Sequence, residues 1–335
     1  MVTEKTFPHT RGLHDLGGGA YAWLHGPGMG GGTANAGLIT NGGESLIVDT
    51  LFDLDHARAF LEAIEPITAK APVKYVVNTH SDGDHIYGNQ LFGEDVDIIA
   101  TEAAAAKMFQ STVDLFVATT VSGEEPGSYF APIKAAYGAE FDFRAVRVRK
   151  PNVTFSGRKT VTIGALQVEL IDLGPAHTAG DLIVSVPELD VVLTGDLFGA
   201  GIGTPVCWDG PLDRWIEAVD VIRKLDARTI VCGHGPILTG DDREKAYDSV
   251  TEYLQNTLDA ATRAFNEGRS VLEAIEYSPY YGKLPNELLL QNTSIAFHHL
   301  DKRFPKPQQE EGIFATALLA AEAAQLEKFG KDEAK

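Results

Sequence analysis

The stretch VVNTHSDGDHIYGN, residues 76–89, places two histidines and two aspartates within six positions. They are His80, Asp82, Asp84 and His85, and they follow directly after a short apolar run. Gly83 permits a tight turn that can direct all four side chains to one point. Imidazole and carboxylate groups held this close together are typical metal ligands. The stretch therefore predicts a metal-binding turn at the end of a strand.

Further side chains of the same kind stand at the ends of other predicted strands. Short runs rich in β-branched residues predict buried strands, because their hydrophobicity is continuous rather than alternating. These runs are residues 45–50, 73–80, 96–101, 166–173, 182–186, 191–196 and 229–234. Asp49, Asp196 and His234 lie at strand ends, and His177 lies in the loop GPAHTAGD. Because loops after the strands of an α/β sheet converge on one edge, His177, Asp196 and His234 are expected to complete two coordination shells beside residues 80–85.

Helical patterns alternate with several of these strands. Apolar residues recur at i, i+3 and i+4 spacing over residues 54–64 and 212–222, which is typical of amphipathic helices packed on a sheet. The alternation predicts a layered α/β fold. Residues 102–150 interrupt it and are expected to form a helical insertion near the rim of the sheet.

The composition changes after residue 240. No strand is predicted after His234, and a possible capping box at Ser270 and Glu273 supports a helical tail. The predicted helices cover residues 242–265, 285–302 and 313–329. We therefore expect one domain at residues 1–240 and a helical extension at residues 241–335, packed on that domain or forming an oligomer interface.

The charge and the cysteine content narrow the class of protein. Lys and Arg sum to 28 against 47 for Asp and Glu, a net charge of -19, which disfavours nucleic acid and anionic membranes as partners. The two cysteines, Cys207 and Cys232, form no CxxC pair and imply no disulfide framework. The chain lacks a basic segment followed by an apolar segment at its start, so a cytoplasmic location is expected.

The order of these histidines and aspartates resembles the metallo-β-lactamase superfamily. Its leading motif is HxHxDH, followed by a histidine, an aspartate and a final histidine, each at a strand end. Residues 37–240 match this order, and Asp49 resembles the family's aspartate after the second strand. The resemblance implies an αββα sandwich and a metal-dependent hydrolase. Asp82 stands where the family has its second histidine.

The resemblance also implies the roles of individual residues. His80 and His177 resemble the ligands of a first metal, and Asp84, His85 and His234 those of a second. Asp84 is the expected catalytic residue, since the family uses this position to orient the attacking water and accept its proton.

Three aspartates complete the set of residues that the resemblance assigns, and one of them, Asp82, affects which metal is expected. Asp196 resembles the bridging carboxylate, and Asp49 the aspartate that supports the ligands from behind. If Asp82 is a ligand, a carboxylate in place of an imidazole shifts the preference from zinc towards iron or manganese, and the flavodiiron branch of the superfamily also carries an acidic residue there. We expect two divalent ions, zinc or iron, with manganese as an alternative. If Asp82 does not bind, the site holds one metal or none.

Aromatic residues near the motifs indicate the kind of substrate. Tyr87 and Trp208 are candidate walls of a substrate pocket. The sequence favours hydrolysis of a small, partly apolar molecule: a lactone, thioester, ester, amide or aryl ether. Two alternatives stay open, a di-iron redox enzyme and a non-catalytic subunit of a hetero-oligomer. β-Lactam hydrolysis ranks low, because no export signal is seen and Asp82 departs from the usual first site.

Other histidines are not assigned to the site. His9, His14, His25 and His56 are expected to be surface or capping residues. His298 and His299 are expected to be structural or interfacial. Long apolar helices beyond a complete core favour oligomerisation, as a homo-oligomer or as part of a hetero-oligomer.

Overall fold

The computed structural model describes residues 6–27, 33–122, 134, 137–138, 140–199, 205–284 and 286–306. The strands in this part of the chain are β1 (Gly12–Gly17), β2 (Ala20–Leu24), β3 (Ala36–Asn41), β4 (Glu44–Val48), β5 (Val73–Val77), β6 (Asp97–Thr101), β7 (Val153–Phe155), β8 (Arg158–Ile163), β9 (Leu166–Asp172), β10 (Leu182–Val186), β11 (Val191–Leu193), β12 (Thr229–Val231) and β13 (Ile237–Thr239). The α-helices are α1 (Leu54–Thr68), α2 (Gly83–Ile86), α3 (Glu102–Lys107), α4 (Gln110–Ser122), α5 (Leu212–Leu225), α6 (Asp241–Asn266), α7 (Val271–Ala274) and α8 (Asn286–Leu300).

The strands form two sheets whose functional loops lie at one edge. The first sheet has the order β1-β2-β3-β4-β5-β6-β7, antiparallel from β1 to β4 and parallel from β4 to β7. The second has the order β13-β12-β11-β10-β9-β8, in which only β11 and β12 are parallel. The backbone N–H of Leu182 donates to Thr79 O at 2.8 Å, which joins the sheets where β5 ends. The topology therefore brings the segments after β4, β5, β9, β11 and β12 together.

An apolar layer holds the two sheets face to face. Leu46 and Val77 of the first sheet belong to the same buried cluster as Val184 and Leu193 of the second, and none of the four is more than 3% exposed. Removal of these faces from water is the main force that holds such sandwiches together.

Helices cover both outer faces. Phe60 of α1 packs with Ile47 and Val76 on the first sheet. Trp215 of α5 packs with Ile230 on the second. The order helix, sheet, sheet, helix confirms the predicted αββα sandwich.

The C-terminal helices extend the outer layer of the second sheet. Leu254 of α6 and Ile295 of α8 share one buried cluster with Trp215 of α5. The capping box at Ser270 and Glu273 is present at the start of α7. The helix expected at residues 313–329 lies outside the described residues. We keep the domain boundary at residue 240 as a proposal, with the helices to residue 306 packed on the sandwich.

The predicted strands do not include β1, β2, β3, β7, β8 or β13. The expectation that no strand follows His234 is wrong, because β13 pairs antiparallel with β12. The three residues of β13 are too few to produce a readable pattern of hydrophobicity.

In the insertion, α3 and α4 are helical as expected. Rings of Phe116, Phe141 and Phe143 gather there around Phe52, which anchors the insertion to the sandwich.

Trp215 provides a test of this packing. Its side chain is fully buried, and its Nε1 donates to Leu197 O at 3.2 Å. We expect Trp215→Ala to lower the free energy of unfolding by about 3–5 kcal/mol, because it leaves a cavity in the core. Leu272, which is 63% exposed, is the control, and Leu272→Ala should change stability by less than about 0.5 kcal/mol. Equal midpoints in urea for the two variants would contradict this account.

Candidate metal centre

The motif stretch forms a turn that begins where β5 ends. Asn78 Nδ2 donates to the carbonyl of His85 at 3.2 Å, which closes the turn across its base. Asp82 precedes α2, and Asp84 and His85 lie within that helix. His80 and His85 are almost completely buried. The turn therefore directs the motif side chains into the edge of the sandwich, as the sequence predicted.

Four imidazoles converge on the carboxylate of Asp196, which follows β11. Their Nε2 atoms all point towards it. The distances to Asp196 Oδ2 are 3.1 Å for His234, 3.7 Å for His177 and 3.9 Å for His80, and His85 lies 3.2 Å from Oδ1. The five residues come from both sheets, so the fold places one carboxylate between two groups of imidazoles.

The other ring nitrogen of three of these histidines already has a partner. His85 Nδ1 donates to Asp49 Oδ2 at 2.8 Å, and His177 Nδ1 donates to the carbonyl of Val206 at 2.5 Å. His80 Nδ1 lies 2.9 Å from Thr79 Oγ1, whose hydroxyl itself donates to Asp49 Oδ2 at 2.8 Å. Thr79 has one hydroxyl proton, so His80 Nδ1 must be the donor in that pair. Such bonds fix the ring and leave the Nε2 lone pair for a metal.

Asp82, the departure from the family motif, faces the same point. Its Oδ2 lies 3.2 Å from His177 Nε2 and 3.8 Å from His80 Nε2. The indole Nε1 of Trp208 donates to the same oxygen at 3.0 Å. Asp82 is therefore placed as a ligand would be, and Trp208 fixes its carboxylate.

Asp84 completes the other side of the centre. Its Oδ2 lies 3.3 Å from His234 Nε2 and 3.8 Å from His85 Nε2. Three groups at this edge have ligand atoms close enough to hold one metal ion. They are His80, Asp82 and His177; Asp84, His85 and His234; and His80, His85 and Asp196.

The centre has the properties expected of a metal site. His80 Nε2, His85 Nε2 and Asp196 Oδ1 are buried and have no hydrogen-bond partner among the residues that the structure describes. Buried polar atoms are rarely left unpaired, because the loss of hydration is costly. Nitrogen and carboxylate donors suit zinc, iron and manganese, so the residues present fit one or two divalent ions.

The histidines of the centre differ in their pKa values because their surroundings differ. Burial lowers the pKa of His80 to about 3. For His177 burial acts in the same direction, but the hydrogen bond to Asp82 and the charges of Asp82 and Asp196 together outweigh it, and the pKa rises to about 9. Likewise, burial lowers the pKa of His234, but the charges of Asp196 and Asp84 and the hydrogen bonds to them together raise it to about 10. In the metal-free protein, protonated imidazoles therefore neutralise the carboxylates.

Supporting residues that the sequence did not reveal hold the loops in place. Asn35 Nδ2 donates to the carbonyls of Cys232 and Gly235, both at 3.0 Å, which fixes the loop of His234. A Cβ at Gly233 would overlap Asp196 Oδ1, so this position requires glycine. No local pattern marks Asn35, because its partners lie about 200 residues further along the chain.

The two expected pocket residues are placed differently. Trp208 lies at the centre, bonded to Asp82. Tyr87 is only 2% exposed, and its ring stacks on Phe52 at a centroid distance of 5.6 Å. Its role as a substrate contact stays a prediction, while its packing in the aromatic cluster is a finding.

Two of the four unassigned histidines are not surface residues. His25 and His56 are 7% and 9% exposed, and their rings stack at 5.3 Å. Both lie in a further group of potential metal ligands with Glu140. The expectation of surface positions is therefore wrong for them, because the insertion covers this region. The helix histidines have internal partners, since His298 Nδ1 donates to Phe304 O and His299 Nε2 to Asp209 O.

Comparison with known proteins identifies the family. The sequence model described as "Metallo-beta-lactamase superfamily" matches residues 29–234, which is more than half of the chain. The chain belongs to the metallo-beta-lactamase superfamily. This membership confirms the resemblance seen in the motifs and supports the predicted class, a metal-dependent hydrolase.

Two kinds of relative are found within the superfamily. A linear primary-alkylsulfatase of Pseudomonas sp. (strain ATCC 19151) is 26% identical over 277 residues, covering 70% of this chain and 50% of that protein. Among solved structures, a double mutant of the sec-alkyl sulfatase PisA1 has a TM-score of 0.67 at 18% identity, covering 87% of this chain and 50% of the other. The metallo-beta-lactamase from Pontibacter korlensis has a TM-score of 0.53 at 19% identity, covering 73% and 98%.

The alkylsulfatase relatives extend well beyond the region that matches. The chain spans about half the length of the alkylsulfatases that it matches. At their level of identity, the solved structures establish the fold alone. None of the helices in the described ranges is both long and apolar enough to span a bilayer. The expected cytoplasmic location, small-molecule partner and oligomeric state stay predictions.

The position of Asp82 leads to a prediction about metal content. If Asp82 is a ligand, Asp82→Ala should lose one equivalent of metal, and Asp82→His, which restores the family motif, should retain it. Asp95 is exposed, so Asp95→Ala is the matched control. Elemental analysis after dialysis measures the difference. An unchanged metal content in Asp82→Ala would mean that Asp82 is not a ligand.

The raised pKa values of His177 and His234, about 9 and 10, predict how metal binding depends on pH. Both rings carry a proton at pH 7 in the metal-free protein, and each must lose it to become a ligand. Apparent affinity should therefore rise with pH, by about tenfold per pH unit for each proton displaced. Calorimetry in buffers of different ionisation enthalpy counts the released protons. Binding of Zn²⁺ without proton release would contradict the combination of protonated rings and their role as ligands.

Proposed function

We propose that the protein hydrolyses sulfate esters of small, partly apolar alcohols, using water activated at a dinuclear metal centre. The reaction cleaves R–O–SO₃⁻ with one water to give the alcohol, sulfate and a proton. The observation that carries hydrolysis is the convergence of four imidazole Nε2 atoms on the Asp196 carboxylate. The similarity to a linear primary-alkylsulfatase over 70% of the chain favours sulfate as the group removed.

The ligands divide into two groups of three around a shared carboxylate. We assign His80, Asp82 and His177 to one ion, and Asp84, His85 and His234 to the other. Asp196 lies between the groups and can contact both. Divalent ions bound there would lower the pKa of a coordinated water and polarise the ester.

Residues of the chain then position the reactants. Although burial opposes its ionisation, the charge of His85 and the hydrogen bond with His234 hold the pKa of Asp84 below its usual range. Bound divalent ions would replace those histidine protons and would also keep Asp84 ionised, so that it could accept a hydrogen bond from the attacking water and orient it. Asp49, bonded to His85 Nδ1, keeps that ring in place.

The charge of the centre suits a monoanionic substrate. Three carboxylates, Asp82, Asp84 and Asp196, carry three negative charges when the histidines are neutral. Two divalent ions more than offset these three charges, whereas a single ion does not. The dinuclear form therefore attracts a sulfate ester more strongly than a form with one ion, although the buried Asp49 carboxylate adds a further negative charge beside His85. This local charge lets an anion bind to a protein whose net charge is -19.

The two kinds of relative cover different shares of the chain. The lactamase structure covers 73% of it. The alkylsulfatase structure covers 87%, so its match includes residues beyond 240. The relatives do not favour the di-iron redox enzyme or the non-catalytic subunit. Lactones, thioesters, amides and aryl ethers serve as comparison substrates.

A substrate panel tests the proposal. Protein reconstituted with Zn²⁺, Fe²⁺ or Mn²⁺ is incubated with linear alkyl sulfates of increasing chain length, and released sulfate is measured by ion chromatography. We expect turnover that increases with chain length, and Asp84→Asn should lower kcat by about 10²–10⁴-fold. The exposed Asp95→Asn is the control. Metal content is determined for each variant, so that a loss of metal is separated from a loss of catalysis.

The possible outcomes separate the two parts of the proposal. Turnover of a lactone or thioester without any sulfate release would refute the substrate class and retain the hydrolase. A fully metallated protein that hydrolyses none of these esters would refute both.

A further inference from the structure

A second group of metal-ligating side chains lies outside the centre described above and shares no residue with it. His25 follows β2, His56 lies in the first turn of α1, and Glu140 belongs to the insertion. One ligand atom from each lies within 4.8 Å of the other two. His56 Nε2 is 3.2 Å from Glu140 Oε1. Residues distant in the sequence are therefore brought to one point.

His25 brings an unsatisfied donor atom to this point. The residue is only 7% exposed, and its Nε2 has no hydrogen-bond partner among the residues that the structure describes. A buried ring nitrogen without a partner carries an uncompensated desolvation cost. Burial, followed by the charge of His56, lowers the pKa of His25 to about 4. The imidazole is thus neutral at neutral pH and has a lone pair for coordination.

His56 is oriented as metal-binding histidines are. Its Nδ1 lies 2.7 Å from Asp53 Oδ1, which also accepts the backbone N–H of His56 at 2.8 Å. Asp53 Oδ2 accepts the backbone N–H of Asp142 at 2.9 Å. A carboxylate behind Nδ1 fixes the tautomer and directs Nε2 at the metal. The same bond from Asp142 ties the insertion to the start of α1.

From this geometry we propose a separate metal site in which His25, His56 and Glu140 bind one divalent transition ion, with zinc as the best fit. Two imidazoles and one carboxylate form an established zinc ligand set, with water at the fourth position. Among the charged groups that act on His25 and His56 are the carboxylates of Asp53 and Glu140 and the guanidinium of Arg11, and the two carboxylates favour a cation. The bound ion links the end of β2, the start of α1 and the insertion.

This site has a structural consequence that is independent of the hydrolytic reaction. The ion would cross-link three segments that also meet through hydrogen bonds, through the stacking of His25 on His56, and through the contacts of Phe141 with His56 and Phe52. Loss of the ion should therefore loosen the insertion selectively, while the sandwich stays intact.

Metal stoichiometry tests the proposal without reference to activity. The protein is stripped with chelator, reloaded with Zn²⁺, dialysed and subjected to elemental analysis. We expect Glu140→Gln and His25→Ala each to hold one equivalent less than the unchanged protein, whatever number the first centre binds. Glu65 is exposed on the same helix as His56, so Glu65→Gln is the matched control and should lose none.

A second variant separates this site from the first centre. Protein carrying His80→Ala and Asp196→Ala should still retain one equivalent of Zn²⁺, and adding Glu140→Gln should remove it. Hydrogen exchange in α1 and at residues 140–146 should be faster in Glu140→Gln than in Glu65→Gln. Equal zinc content in Glu140→Gln, His25→Ala and the control would overturn the proposal. A loss of zinc seen only in the variant carrying His80→Ala and Asp196→Ala would also overturn the proposal of a second site. It would not affect the proposal of a hydrolytic centre.

Discussion

The metal centre depends on the hydrogen bonds that the Asp49 carboxylate accepts. Its Oδ1 accepts the backbone N–H of Thr79 at 2.8 Å, and its Oδ2 accepts the Thr79 hydroxyl and His85 Nδ1, both at 2.8 Å. Through Thr79 it also reaches His80. The backbone of Asp49 has a φ of 61°, which is unfavourable for a residue with a side chain and persists only where surrounding contacts enforce it. One strained residue after β4 therefore sets the orientation of two of the proposed ligands, His80 and His85.

Asp82 changes the charge of the centre. An imidazole at this position would add no charge, whereas the carboxylate adds one negative charge beside His177. Trp208 has only an N–H to offer and cannot accept a hydrogen bond. Its contact with Asp82 Oδ2 therefore suits an acceptor at position 82. The two residues form a pair, although 126 positions separate them in the sequence.

The sequence predicted those parts of the structure that leave a local pattern. All seven predicted strands are present, because continuous β-branched runs mark buried strands. The residues of the motif turn and those at the later strand ends meet because parallel strands share an edge. Asn35 and the group of His25, His56 and Glu140 left no such pattern. Each is a single polar residue whose partners are remote, and only the folded chain brings them together. Tyr87 is similar, since burial by the insertion depends on packing at a distance.

Before a metal binds, the negative charges of the centre are balanced by protons on its histidines. Three carboxylates in one buried site would repel one another and destabilise the fold. The protons on His177 and His234 offset this repulsion, since imidazolium–carboxylate pairs form within 3.1–3.3 Å. Incoming divalent ions would replace those protons and take over the same neutralising role. Because protons can neutralise the carboxylates in place of the metal, the sandwich can fold first and the metal can bind afterwards. Binding of divalent ions to the centre then depends on the pH and on the concentration of available metal, rather than on folding.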